Sequence, residues 1–190
     1  METATHQNDN ELVDRVRNGD DDAFRHLVDR HSRSLYRAAY RIVGNAADAD
    51  DVVQETFLRA YRSLARFDAR ATFTTWVHRI AINCSLDLID SRKRRGQHDS
   101  EDEQLNAIAS PTATPDRLAL GSEMQRAISA AMAELSGNER TAFVLRHFEG
   151  MPLEEIGQIL GTRLNATKNT VFRAVKKLRE QLQPFTGSLV

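Results

Sequence analysis

The stretch from Phe67 to Arg95, FDARATFTTWVHRIAINCSLDLIDSRKRR, determines how we interpret the rest of the chain. From Phe73 onward its apolar residues recur at steps of one, three and four, which predicts an amphipathic helix. The predicted buried stripe consists of Phe73, Trp76, Val77, Ile80, Ala81, Cys84 and Leu88. The opposite, polar side is expected to face outward and consists of Thr75, His78, Arg79, Asn83 and Asp87.

The same helix runs into a cluster of basic residues. After Ser91 the chain continues Arg92, Lys93, Arg94, Arg95. One or two cations at this end would be enough to interact favourably with the helix dipole. The excess favours an anionic partner, but a solvated basic helix end has the same composition, so this cluster alone leaves both interpretations open.

Composition limits the remaining possibilities. A chain of 190 residues has room for one or two small domains. Its formal net charge is -1, so any affinity for nucleic acid must come from local segregation of charge. Cys84 is the one cysteine and lies on the apolar stripe, which favours a packing role. The polar amino terminus and the lack of a long apolar run predict a cytoplasmic protein that does not insert into a membrane.

Three more helices are predicted before this stretch. The first spans Glu11 to Asn18, and the second starts at the Asp20–Asp22 run and ends at Gly44. The third is expected to have Asp48 as its N-cap and an inward stripe of Val53, Phe57, Ala60 and Leu64. Its outward belt, acidic at the start and basic towards the end, consists of Asp50, Asp51, Gln54, Glu55, Leu58, Arg59 and Arg62.

The character of the sequence changes after Arg95. Residues 96–115 lack apolar periodicity, contain an acidic cluster and two prolines, and are predicted to form an extended flexible linker. Helical periodicity resumes near Asp116, and Ser136 with Glu139 has the spacing of a capping box. The helix that follows carries Ala142, Phe143, Leu145 and Phe148 and ends at Glu149 and Gly150.

A helix-turn-helix is predicted next. Pro152 starts its first helix, Gly161 lies in its turn, and the second helix has an inward face of Val171, Ala174, Val175, Leu178 and Leu182. The outer face of this second helix is expected to be wholly cationic. Its basic residues are Arg163, Lys168, Arg173, Lys176, Lys177 and Arg179, whereas the helix before it carries Glu154 and Glu155. Such segregation favours major-groove binding by the second helix over an ordinary helical hairpin.

These segments together resemble the extracytoplasmic-function (ECF) group of bacterial sigma factors. In the amino half, DADDVVQETFLRAYRSLARF resembles the family's segment that docks on RNA polymerase, and FTTWVHRIAINCSLDLIDSRKRR its promoter-melting and minus-ten-reading helices. In the carboxyl half, LSGNERTAFVLRHFEGMPLEEIGQILG and KNTVFRAVKKLREQL resemble the module that reads the minus-thirty-five element. The run from Asn165 to Thr170 departs from the family's usual sequence and keeps only the lysine, although Asn165 could still cap the helix.

The resemblance implies an all-α fold of two helical domains joined by a flexible linker. Residues 1–95 would be sigma region 2, 96–115 the linker and 116–190 sigma region 4 with its helix-turn-helix. The implied partners are core RNA polymerase, promoter DNA and an anti-sigma factor. The implied DNA-binding residues are Arg79, Asn83, Arg92, Lys93, Arg94, Arg95, Arg163, Lys168, Asn169, Arg173, Lys176 and Lys177. The implied polymerase-binding residues are Asp50, Asp51, Gln54, Glu55, Leu58 and Arg62.

Two other functions are compatible with parts of the sequence. A helix-turn-helix regulator acting without polymerase would bind a palindrome through the carboxyl half. An enzyme would need a metal site at Asp22, His26 and His31, which lack suitable ligand spacing. No nucleophile, acid–base pair or phosphate loop is evident, so the sequence predicts no catalytic residue, metal or cofactor. Asn83 could bind an extruded base with its amide, or it could cap the following turn.

Overall fold

A computed structural model describes residues 8–68, 70–94 and 115–186, and within these ranges its regular structure is helical throughout, as predicted. The elements are α1 (Asp9–Arg17), α2 (Asp21–Val43), α3 (Ala46–Ser63), a short 3-10 helix (Leu64–Arg66), α4 (Phe73–Arg94), α5 (Pro115–Ala133), α6 (Gly137–His147), α7 (Leu153–Leu160) and α8 (Leu164–Thr186). The predicted linker lies outside the described residues except at Pro115, where α5 begins.

The helix ends follow from side chains that satisfy the free backbone groups of a first turn. Asp20 accepts from the backbone N–H of Ala23 at the start of α2, and Ser136 forms the predicted capping box with Glu139. Two predictions about caps were wrong. Asn45, not Asp48, caps α3, because it has the extended backbone and its side chain accepts from the N–H of Asp48. Asn165 lies inside the first turn of α8, which begins at Leu164.

Helix α2 is the centre of the amino module, which consists of α1 to α4. Its buried residues Leu27 and Leu35 pack with Leu12 of α1, Phe57 of α3 and Phe73 of α4 in one apolar cluster. The predicted stripe of α4 faces this cluster, with Val77 and Ala81 fully enclosed and Trp76 packed at its edge. Burial of each large aliphatic side chain contributes about 1.5–3 kcal/mol, so this cluster is a main source of the module's stability.

The carboxyl module consists of α5 to α8 and contains the predicted helix-turn-helix. Gly161 ends α7 with φ +65°, a left-handed conformation that favours glycine, and α8 follows. Ala174 and Leu178 of α8 pack against Ala131 of α5 and Leu135 in the turn that follows it. The inner face of α8 therefore holds the module together and leaves its other face free for a ligand.

The two modules are packed against each other. Ala38 and Ile42 of α2 and Ile82 of α4 share one buried cluster with Leu145 of α6 and Ile156 of α7. Polar contacts surround this cluster. The Thr75 hydroxyl donates to Glu155 at 2.5 Å, and the Arg140 guanidinium donates to the carbonyl of Ile42 at 2.7 Å.

This packing corrects the prediction for the polar side of α4. Thr75 and His78 were expected to face outward, but each is only 1% exposed. Thr75 is covered by α7 through Glu155, and His78 Nε2 lies 3.3 Å from the Ser34 hydroxyl of α2. Helix α4 is therefore buried along more than one side, and its free surface is narrower than its sequence indicates.

Candidate nucleic-acid interface

Asn83 lies at a cleft on the free surface of α4. Its side chain is exposed in the middle of that helix and lines a cleft of about 360 Å³ between α3 and α4. The other lining residues are Arg59, Arg62, Ser63 and Ile80. A position in the middle of a helix excludes a capping role, so that alternative for Asn83 was wrong. Its amide can both donate and accept hydrogen bonds towards a ligand in the cleft.

Arg79, one turn before Asn83, has a different environment. Its guanidinium donates to the backbone carbonyl of Gln158 in α7 at 2.7 Å. The structure therefore directs this side chain to the carboxyl module and does not place it in the cleft beside Asn83. Arg79 can reach a ligand on α4 only if this contact is given up.

The basic end of α4 is partly used inside the fold. Arg92 is half-buried and forms an ion pair with Asp48 near the start of α3. Arg94 is exposed, and its Nε is 3.3 Å from the Asp90 carbonyl. The side chain of Lys93 and all of Arg95 lie outside the described residues. Among the described members of this cluster, Arg94 is thus the cation turned towards solvent.

The outward belt of α3 is exposed as predicted over most of its length. Asp50, Asp51, Gln54, Leu58 and Arg62 face solvent. Glu55 is half-buried and accepts from Arg59 at 2.6 Å, so part of its charge is neutralised within the helix. Tyr61, which sequence reasoning missed, is 47% exposed beside Leu58 at 46%, and its hydroxyl donates to Asp21. The belt therefore combines carboxylates with an apolar centre.

Helix α8 presents most of its predicted basic residues to solvent. The exposed residues include Arg163, Lys168, Asn169, Arg173, Lys176 and Arg179. Phe172 is 69% exposed on the same surface, so the prediction of a wholly cationic outer face was wrong. Its position four residues from both Lys168 and Lys176 could have indicated this, because those two are outward residues one helical turn away. An exposed phenylalanine can contact the methyl group of thymine in a major groove.

Lys177 differs from the other cations of α8. Its ammonium donates to Glu139 at 2.7 Å, and the Glu139 side chain is only 7% exposed. The hydrogen bond from Lys177 lowers the pKa of the Glu139 carboxyl, and burial acts in the opposite direction. Lys177 therefore ties α8 to the start of α6, and Arg173 lies near the same carboxylate at 3.8 Å.

The alternative metal site is not formed. Within residues 8–68, 70–94 and 115–186 no group of His, Cys, Asp or Glu is arranged to hold a metal ion. His31 is instead buried and lies 2.9 Å from a carboxylate oxygen of Asp9, while His26 is exposed. Over the same ranges, no helix has both the length and the apolar character needed to span a bilayer.

Two family models match the chain, one in each module. Sigma-70 region 2 matches residues 27–95, and Sigma-70, region 4 matches residues 125–178. The chain is 33% identical over 177 residues to the ECF RNA polymerase sigma factor SigW of Bacillus subtilis, covering 90% of this chain and 95% of that protein. It is 32% identical over 186 residues to the RNA polymerase sigma-H factor of Pseudomonas aeruginosa, covering 95% of this chain and 96% of that one.

The whole fold has solved counterparts. The structure of CnrH in complex with the cytosolic domain of CnrY is similar with a TM-score of 0.69 and 27% identity, over 93% of this chain and 97% of that one. The sigma factor RpoE from Bartonella quintana, in complex with the anti-sigma factor NepR, has the same fold with a TM-score of 0.66 and 22% identity, over 84% of this chain and 96% of that one. Matches to both regions, together with relatives above 30% identity along nearly their whole length, show that this chain belongs to the extracytoplasmic-function group of RNA polymerase sigma factors.

Proposed function

We propose that the two modules divide the work of a sigma factor, with residues 1–95 docking on core RNA polymerase and opening the promoter and residues 116–190 reading its upstream element. The observation that carries this division is the match of region 2 to the amino module and of region 4 to the carboxyl module. The region 2 match favours a sigma factor over a helix-turn-helix regulator that acts without polymerase. The chain performs no reaction of its own in this proposal, since nucleotide addition belongs to the polymerase.

The belt of α3 is the proposed docking surface for polymerase. The exposed Asp51 lies two turns and the exposed Gln54 one turn before the exposed Leu58, so a complementary surface would meet a carboxylate and an amide beside an apolar contact. The docking set comprises Asp50, Asp51, Gln54, Glu55, Leu58 and Arg62. Replacing Asp51 by lysine should lower affinity for core polymerase without loss of fold, because exposed charges contribute little to stability.

The cleft beside Asn83 is the proposed site for an unstacked base of the opened strand. Removing a base from the duplex stack costs a few kcal/mol, and contacts to the extruded base offset that cost. The Asn83 amide can hydrogen-bond the base edge, and Arg62 in the same cleft can bind its phosphate. Arg79, Arg92, Lys93, Arg94 and Arg95 would reach neighbouring phosphates, with Arg79 and Arg92 available only after giving up their present contacts.

Helix α8 is the proposed reader of the upstream element in a major groove. Arg163, Lys168, Asn169, Arg173 and Lys176 present donors on its exposed surface, and Phe172 adds an apolar contact. Lys177 belongs to this set through its sequence, although its bond to Glu139 gives it a part in holding the module together.

An anti-sigma factor is the proposed inhibitory partner and the cytoplasm the proposed location.

Reconstituted transcription tests this function. The purified chain should direct core polymerase to initiate at a specific promoter, and neither component should do so alone. Asp51→Lys should reduce initiation by reducing core affinity, whereas Asp29→Lys, an equivalent change on exposed α2 surface outside the belt, should not. If the chain bound and protected a palindromic site equally well without core polymerase, the proposal would be wrong.

A further inference from the structure

The contact between the modules contains an incompletely satisfied buried carboxylate. Glu149, in the turn between α6 and α7, has a side chain that is only 5% exposed. Its Oε2 accepts from the Ser34 hydroxyl at 2.7 Å and lies 3.7 Å from the Arg37 guanidinium, while the Arg41 guanidinium lies 3.9 Å from Oε1. Its other oxygen, Oε1, accepts no hydrogen bond from the described residues. A buried carboxylate normally makes several hydrogen bonds, so this site holds Glu149 loosely.

The hydroxyl and the guanidinium groups around Glu149 all lie on α2, and His78 of α4 lies 3.3 Å from the Ser34 hydroxyl. Ser34, Arg37 and Arg41 lie about one turn apart along the helix and converge on the carboxylate. Arg33 is exposed and precedes Arg37 by four residues, which extends the row of cations along the helix. Arg41 also lies over the ring of the half-exposed Phe148, with 4.2 Å from its guanidinium carbon to the ring centre. The Glu149 carboxylate carries one negative charge, whereas Arg33, Arg37 and Arg41 together carry three positive charges.

The donors in this row can bind a phosphate of a nucleic acid as well as a carboxylate. A hydroxyl and two guanidinium groups are typical ligands of nucleic-acid phosphates, and guanidinium groups can bind two phosphate oxygens at once. A phosphodiester has the same single negative charge and the same number of free oxygens, two, as the carboxylate of Glu149, so it can take the place of Glu149 on these donors. A row of cations spaced by four residues also matches a linear polyanion better than it matches a single acidic side chain.

We propose that Ser34, Arg37 and Arg41 form a binding site for a phosphate of the promoter DNA backbone, which Glu149 occupies while the two modules are packed together. The proposal rests on the function proposed above and adds a site on α2 that competes with closure of the modules. DNA binding at this site and the closed arrangement exclude each other, because both use the same donors. Glu149 then acts as an internal competitor that weakens the binding of DNA to the free chain.

The test compares two charge-neutralising substitutions in the full chain. Glu149→Gln removes the competing charge, whereas Glu155→Gln makes the same change in net charge at the same module contact and instead weakens the bond from Thr75. Binding is measured by fluorescence anisotropy with labelled duplex DNA of arbitrary sequence across a series of salt concentrations. Glu149→Gln should bind more tightly, and the slope of log affinity against log salt should steepen by about 0.9 for each additional phosphate that the protein binds. Glu155→Gln should leave the slope unchanged.

A second set of variants assigns the tighter binding to α2. Adding Arg37→Ala and Arg41→Ala to Glu149→Gln should return both affinity and slope to the wild-type values, with thermal melting used to verify folding. If the alanine pair does not fold, Arg37→Lys with Arg41→Lys keeps the charge, removes the forked donors and should lose most of the increase in affinity.

Three results would overturn the proposal. Equal increases in affinity from Glu149→Gln and Glu155→Gln would mean that opening alone explains tighter binding. An increase that survived loss of both arginines would place the phosphate elsewhere. Tighter binding of labelled polyglutamate than of DNA by Glu149→Gln would assign the site to an acidic protein segment. Because the DNA has arbitrary sequence and no polymerase is present, these outcomes are independent of promoter-specific initiation, which tests the proposed function separately.

Discussion

Lys176 and Lys177 are adjacent in α8 but have different surroundings. Lys176 is 64% exposed and lies 3.9 Å from Glu180 on the same helix, an arrangement that contributes little to stability. Lys177 reaches across to Glu139, whose side chain is enclosed where α6 begins. Helical periodicity predicts that both face away from the apolar stripe, but it does not predict that a carboxylate of another helix covers one of them.

Lys177→Met should therefore destabilise the carboxyl module, because it leaves the buried Glu139 without its main cationic partner. We expect a loss of about 1.5–3 kcal/mol in the free energy of unfolding, measured with denaturant, since hydrogen bonds to charged groups contribute in that range. The matched change Lys176→Met should leave stability within about 0.5 kcal/mol and reduce the salt dependence of DNA binding by about 0.9. Equal stability of the two variants would contradict a structural role for Lys177.

Asn83 gives the sharpest prediction for promoter reading. Because its side chain lies on the open cleft in the middle of α4, Asn83→Ala should hardly alter the melting temperature. It should relax discrimination at one promoter position by about 1–3 kcal/mol, the usual cost of one mismatched contact. Transcription from a panel of single-base promoter variants measures this. Asp87→Ala, one turn further along the exposed side, serves as the control, and a uniform loss across the panel with Asn83→Ala would exclude base reading.

Individual exposed residues were partly predictable. The spacing of Asn83 from the apolar stripe placed it correctly on the surface of α4. The same reasoning failed for Thr75 and His78, because a one-helix pattern shows which side chains are polar and not which ones another module covers. Helical periodicity also gave no role to Phe172. This apolar residue lies on the basic face of α8 and was placed neither in the core nor among the ligand-binding residues.

The turn of the helix-turn-helix depends on close packing at Gly157. A Cβ added there would lie 2.9 Å from the Thr162 carbonyl oxygen and 3.0 Å from the Thr167 hydroxyl. The two threonine hydroxyls are themselves joined at 2.8 Å, and Thr167 also donates to the Arg163 carbonyl. These contacts set the distance between α7 and the start of α8. They thereby fix the position of the exposed basic face of α8 relative to α7.

Gly157→Ala should consequently force backbone atoms of the turn, and not only side chains, to move. Overpacking of this kind costs about 1–3 kcal/mol, which should appear as a lower free energy of unfolding and as weaker DNA binding by α8. Gln158→Ala, at the next and exposed position of α7, should have little effect because only its backbone carbonyl makes a contact to the other module. A fully stable Gly157→Ala would mean that the turn accommodates a methyl group without displacement.

At the level of helices, the sequence was informative because periodicity and caps are local properties. The bounds of α2 and the capping box of α6 follow from residues within one turn of each helix end. The start of α3 was misjudged because Asn45 and Asp48 are both good caps, and backbone conformation decides between them. The contact of α4 with α7 could not be predicted, since its residues are far apart in the sequence and helical periodicity does not show which helices pack against each other.

Protonation should loosen the molecule as a whole, because two histidines are buried between its helices. Burial lowers the pKa of His78, against the opposing effect of the nearby Glu149 and Glu155 carboxylates, and it also lowers the pKa of His31 beside Asp9. The unfolded chain takes up these protons near pH 6.5, whereas the folded chain does so only at lower pH. Stability should thus be complete above pH 6.5 and decrease as the pH falls below it.

Denaturant unfolding between pH 8 and pH 5 measures this effect. The free energy of unfolding of His78→Gln should decrease less than that of the wild type over that range, because one of the two histidines that take up a proton on unfolding is absent. His26→Gln, a change at an exposed histidine of α2, should retain the wild-type profile. Identical profiles for the wild type and His78→Gln would show that His78 is not linked to folding.

The contact between Ser34 and Glu149 joins positions that are 115 residues apart in the sequence. During translation, a ribosome that adds about 5–20 residues per second requires on the order of 6–23 s to synthesise that interval. Helices α1 to α4 are made before the segment that will cover them, so Arg37 and Arg41 of α2 lack this cover until Glu149 has been synthesised. Closure must therefore wait for the synthesis of Glu149, and core polymerase that binds the nascent chain earlier would meet its amino module in the open form.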